Sequence, residues 1–276
     1  MGMLRHIGWL CNSSIPGAGI NQLKVRSMRI SHLIRWSCLF VGLALAGNFV
    51  LPAAPPKDLS SVVSASDLEA EMTATIDGIE QGLASPEAYP LAAGSVRRMA
   101  HELALYSQAV AQFDEPSRLK TNGPALRDAA LRISQTKSYA DAKKEFEALK
   151  QTLIAGNSEA VPAEYEWSKL ASLRLLMESM RERTDRIRKG LRRPKDPVLE
   201  SRNAAVMAVF SLGIDSHADR IEQIEERKTW HALSSELQIS LTRTAEAIRA
   251  GETSKALKEF TAAHKACNDC HEKFKR

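Results

Sequence analysis

The residues with the most chemical potential fall together in the stretch Lys265–Arg276, "KACNDCHEKFKR". The chain holds four cysteines, Cys11, Cys38, Cys267 and Cys270, and two of them lie here, three residues apart and directly before His271. On a helix, positions i, i+3 and i+4 share one face. Two thiols and one imidazole on a single face are what covalent attachment of a haem requires. The thiols add across the two vinyl groups while the imidazole reaches the iron from the same side, and C-x-x-C-H is the signature of that arrangement. On this reading Cys267 and Cys270 form the thioethers of one haem c, and His271 is the proximal iron ligand. Leu257 and Phe260 upstream and Phe274 downstream are expected to continue the same stripe and lay the haem against the core.

Three other chemistries compete. Structural zinc needs four ligands, commonly from two separated pairs. Here one pair and His271 stand alone, because His264, seven residues back, is roughly 10 Å away along a helix. A redox C-x-x-C usually sits at a helix N-terminus, whose dipole lowers the thiol pKa, whereas this pair is expected at a helix C-terminus. A structural disulfide is disfavoured by the shortness of the loop it would close.

Positioning such a constellation calls for helices, and helical pattern dominates the chain beyond residue 55. Ala, Leu, Glu, Lys and Arg are abundant, aromatics are 5% of the sequence, and no stretch alternates as a strand. Breaks at 84–95, 114–124, 155–164, 192–197, 225–229 and Ala250-Gly251 mark off eight expected helices, at about 66–83, 95–113, 124–136, 139–154, 164–190, 197–223, 230–249 and 253–275. The expected fold is all-α: two tandem antiparallel four-helix bundles, over 55–160 and 161–276, after an N-terminal signal segment.

The halves read as repeats. "AKKEFEA" at 142–148 matches "ALKEFTA" at 256–262 in five of seven positions. Extended without gaps, the alignment sets Leu153 opposite Cys267, Gly156 opposite Cys270 and Asn157 opposite His271. The first copy therefore lacks every residue of the attachment site and is expected to be a haem-free, degenerate bundle.

Residues 1–54 are read as a leader, with Met28 as the expected true start. "MRISHLIRWSCLFVGLALAGNFVLPAAPPKD" has a basic beginning, an apolar run from about Ser37 to Leu51, and small residues suited to cleavage. The run is shorter than the ~20 residues of a spanning helix. Export to the periplasm is the expectation, with membrane anchoring through an uncleaved leader as the alternative. Processing would remove Cys11 and Cys38. The leader also accounts for the net charge of +5: it holds five Lys or Arg and no acid, and without it 33 basic residues face 33 acidic ones. Nucleic-acid binding loses its main support accordingly. The first half has 11 basic and 15 acidic residues, the second 22 and 18, so opposite charges favour docking between the bundles.

The second half resembles the class II cytochrome c (cytochrome c-prime) family, four-helix bundles whose C-x-x-C-H lies near the end of the last helix. "CNDCHEKFKR" carries the resemblance, with an aromatic three residues after the histidine and basic residues behind it. It covers roughly residues 164–276 and is specific at the motif.

In an antiparallel bundle the start of the first helix lies beside the end of the fourth, so the second face of the iron should meet "EWSKLASLRLLMESMRERTDRIRKGL". Met177 is the candidate distal ligand, since a thioether suits low-spin haem and raises its potential; Met180 is the runner-up. "MESMRERTDRI" also resembles the first-helix segment of the b-type bundle cytochrome, whose leading methionine is the ligand. Against this, methionines on an apolar stripe commonly fill cores, and in c-prime members an apolar residue leaves the iron five-coordinate. Met72 holds the matching position in the first half and reads as core. His101 could serve a non-covalent haem, and His217 or His231 could meet a propionate, but each reads more simply as a structural histidine.

The expected function is single-electron transfer with an unidentified redox partner protein and no catalysed reaction. The alternatives are a five-coordinate haem protein that binds or senses small gases, and a structural or partner-binding bundle. No nucleophile motif, glycine-rich phosphate loop or paired-carboxylate site points to an enzyme.

Overall fold

A computed structural model describes residues 58–117, 119–155 and 164–275. The leader with Met28, Cys11 and Cys38, and the repeat positions Gly156 and Asn157, lie outside the described residues. Those described form eight α-helices and no strand: α1 (Ala65–Gly82), α2 (Tyr89–Ala111), α3 (Gly123–Gln135), α4 (Tyr139–Ala155), α5 (Leu173–Arg192), α6 (Pro197–Asp215), α7 (Ile224–Arg249) and α8 (Thr253–Phe274). Short 3-10 turns span Leu59–Ser61, Trp167–Lys169 and Ala218–Arg220. The chain is all-α among these residues, and none of these helices is long and apolar enough to cross a membrane.

Local chemistry sets the helix starts. Ser64 accepts from the Asp67 amide at 3.1 Å to cap α1, Ser172 accepts from Leu175 at 3.4 Å to cap α5, and Asp196 accepts from Leu199 at 3.0 Å to cap α6. Each hydroxyl or carboxylate satisfies an amide that has no partner within the helix. Between α7 and α8 the chain reverses through Gly251, whose φ of +73° is the one positive value among the described residues and suits a residue without a side chain.

Four boundaries differ from the sequence reading. α2 starts at Tyr89 rather than 95, because Pro90 sits in the first turn, where its missing amide hydrogen costs nothing. α7 starts at Ile224, and "EERKT" is helical; Glu225 and Glu226 occupy its first turn and complement the helix dipole. The actual break lies just before, in the turn after α6, which ends at Asp215. α5 starts only at Leu173, since Trp167–Lys169 forms a separate turn that buries Trp167.

Helices adjacent in sequence pack together from α1 to α4 and from α5 to α8, while α1 and α2 also pack against α6, and α2 against α5. α5 and α8 meet over only a short stretch. One large cluster of buried side chains includes Met72, Leu103, Tyr106 and Phe146 from the first half and Leu176, Phe210, Leu241 and Phe260 from the second, beside a small one of Ala247, Ile248 and Ala256. Ion pairs cross between the halves as well, among them Arg249–Asp67 at 2.7 Å.

Candidate functional site

The buried stripe of α8 is Ala256, Phe260, Ala263 and Ala266. Cys267, Cys270 and Phe274 continue it, part-buried and packed against the main core. Leu257 departs from the expected stripe: it is 56% exposed, one residue off the i, i+4, i+7 register that Ala256, Phe260 and Ala263 define. The end of α8 is fixed by aromatic packing. Phe274 meets Trp230 edge-on, with centroids 5.2 Å apart, and the Trp230 indole donates to the Ile214 carbonyl at 3.0 Å.

Beside this face lies an open cavity of about 490 Å³ with largely apolar walls, well within the range of ligand and cofactor sites. α8 contributes Cys267, Cys270 and His271; α5 contributes Met177 and Met180; α6 and α7 add Ile214, Leu233, Ser234 and Leu237. The structure thus gathers the four site residues expected from sequence, and the runner-up methionine, around one space. Met177 is part-exposed, while Met180 is 5% exposed and belongs to the core.

Cys267 and Cys270 are free thiols. Burial pushes the Cys267 thiol up to about 11, with its neighbour Cys270 adding to the effect, and burial raises Cys270 as well. A redox pair needs the opposite, a stabilised thiolate. His271 is held below the ordinary imidazole value, first by partial desolvation and then by the nearby Lys275 ammonium. Neutral imidazole is the form that binds metal. Among the described residues no three His, Cys, Asp or Glu side chains are gathered to hold a metal ion by themselves.

The remaining candidates have structural partners. Met72 is fully buried. His101 and His217 bond to backbone carbonyls, of Leu170 at 2.6 Å and Ala171 at 3.0 Å. His231 pairs with Asp215 at 2.7 Å. None of these three histidines lines the cavity, whereas His264 does. The propionate role considered for His217 and His231 is thus not supported by their placement.

Two features escaped the sequence reading. Arg174, Arg181 and Arg188, seven residues apart along α5, all line the cavity; that heptad spacing was the available signal. Arg174 pairs with Glu178 at 3.1 Å and Arg188 with Asp185 at 3.3 Å. The second feature is Ser234 of α7, which lines the cavity and whose buried hydroxyl has no hydrogen-bond partner among the described residues. A lone serine carries no sequence signal of this kind.

These residues fit a haem in composition and arrangement. The walls are largely apolar, a thiol pair and an imidazole sit on one helix, and thioethers come from another. No family model, curated protein or solved structure matches the chain.

Proposed function

We propose that this chain is an exported c-type cytochrome with one covalent haem, working in single-electron transfer. The observation that carries the reading is the shared cavity, which unites Cys267, Cys270 and His271 of α8 with Met177 and Met180 of α5. In this reading the two thiols would anchor the group, and His271 and Met177 would hold its iron. When bound, such a group would supply one-electron chemistry; the protein's part would be to position the residues that hold it and limit access of water. A partner protein of unassigned identity would exchange the electron.

The same reading takes the fold as two tandem four-helix bundles of class II cytochrome c type, the first without haem. Packing of α1 to α4 and of α5 to α8 in sequence order supports it. The leader character of residues 28–54 supports export to the periplasm.

A gas-binding haem protein is the second reading. What favours it is the part-exposed setting of Met177 beside an open cavity, where the thioether could serve as a wall. The optical spectrum of the reduced protein, before and after carbon monoxide, separates the two. A low-spin spectrum that changes slowly supports electron transfer; a high-spin spectrum that changes at once supports gas binding. Absence of haem from protein made with a haem-attachment system contradicts both.

A further inference from the structure

Helix α5 has two working faces. Met177 and Arg181 look onto the cavity, while Ser179 and Arg183 are buried against the first half of the chain. The Ser179 hydroxyl donates to Glu102 of α2 at 2.5 Å. Arg183, 5% exposed, donates to the Tyr106 hydroxyl of α2 at 2.9 Å and to Asn203 of α6 at 2.9 Å. It also pairs with the Glu71 carboxylate of α1, and Glu102 lies 3.5 Å away. The Phe210 ring packs against the guanidinium, 5.5 Å from centroid to carbon. One turn along, Arg98 of α2 pairs with Glu182 of α5.

A buried guanidinium is tolerated only when its hydrogens and charge are met, and deleting one partner leaves the other stranded. The second-half helix that lines the cavity opposite the thiols is therefore tied to α1 and α2 by charge-assisted bonds. Its direct packing against α8 is no more extensive than its packing against α2. Sequence separations of 77 to 112 residues put these ties beyond any local pattern.

We propose that the first four helices act as a clamp on α5: Glu102 and Glu71, through Ser179 and Arg183, hold the Met177 and Met180 wall at its distance from α8 and so keep the cavity formed. Glu102 and Arg183 are positioning residues, and the first half becomes a working part of the site. The clamp itself rests on the contacts of α5; its effect on iron coordination rests on the cytochrome reading.

Hydrogen exchange read by mass spectrometry on the full chain tests the clamp. Glu102→Gln keeps the shape and leaves Arg183 with Glu71 and Arg98 with Glu182. Ser179→Ala removes a single bond and serves as the milder variant. Peptides from 174–188 should exchange roughly tenfold faster, the effect of losing one net bond to a charged group on a local opening equilibrium. Peptides of α7 and α8 should keep wild-type rates. Unchanged exchange in α5, or equal acceleration in all eight helices, overturns the clamp. In haem-loaded protein Glu102→Gln should also raise the high-spin fraction at unchanged haem content; an unaltered spectrum beside a loosened α5 overturns the link to the site. A wild type that takes up no haem refutes the cytochrome reading, and exchange on that apo chain still decides the clamp.

Discussion

The imidazole of His101 on α2 donates through Nδ1 to the carbonyl oxygen of Leu170, 2.6 Å away and three residues before α5 begins. A carbonyl can only accept, so Nδ1 carries the hydrogen. His217 does the same through Nε2 for the next carbonyl, Ala171, at 3.0 Å. Two histidines, one from each half, thus pin the approach to the helix that walls the cavity.

This pinning makes stability depend on pH. Burial holds both imidazoles below the ordinary value of 6.5, so the unfolded chain takes up protons first as pH falls. Their contribution is complete above about pH 6.5 and is lost as pH drops from there toward the lowered folded values. Part-buried Asp215, whose carboxyl is raised by desolvation, works in the opposite direction at lower pH. The melting temperature should fall between about pH 7 and pH 5, and His217→Gln, which keeps a donor without the titration, should flatten the slope. Equal slopes in the two proteins would contradict the assignment.

Phe210 stacks on Tyr106 with centroids 5.6 Å apart and is fully buried where the halves meet. Phe210→Ala should cost about 3–5 kcal/mol, or roughly 6–20 °C of melting temperature at about 2–4 °C per kcal/mol. Unfolding followed separately in α2 and in α7 should shift together, because the core is continuous. If α2 melts unchanged, the halves are energetically independent.

The eight helices could be read from the sequence because helix-forming residues run between Gly- and Pro-containing breaks, with an apolar stripe on most of them and burial all round on α6, and the α8 constellation because its spacing is chemically specific. Boundaries failed where one residue type has two meanings: Pro90 breaks a helix interior but suits a first turn. The clamp could not be read, since Glu71, Glu102 and Arg183 become partners only when three helices meet. A signal was present in hindsight: Arg183 falls between Met180 and Ile187 on an otherwise buried stripe, where an unpaired charge would be untenable. The cavity had no local signature, being the space that α5 and α8 leave between them.

Gly251 reverses the chain between two cavity-lining helices with φ at +73°. Gly251→Ala should cost about 1–2 kcal/mol from left-handed backbone strain alone, since a Cβ there meets nothing within 4 Å. Thermal melts should show that loss with the haem spectrum unchanged; an altered spectrum would mean that the turn also sets the geometry of α8.

The two methionines should separate by function. On the cytochrome reading, Met177→Ala should turn the reduced haem high-spin, open it to carbon monoxide and lower its potential, because the proposed ligand that favours ferrous iron would be gone. Met180→Ala should leave the spectrum in place but cost about 2–5 kcal/mol of stability, because the side chain is almost completely buried. An exchange of these outcomes between the variants would make Met180 the ligand.

Acid–acetone extraction of protein produced with a haem-attachment system tests the central claim most directly. The wild type should keep its colour with the polypeptide, through thioethers at Cys267 and Cys270. Cys267→Ser and Cys270→Ser should each retain at most one thioether, and the double variant should release all its haem into the acetone. Colour that washes out of the wild type, or a double variant that holds haem as firmly, would contradict covalent attachment at this site.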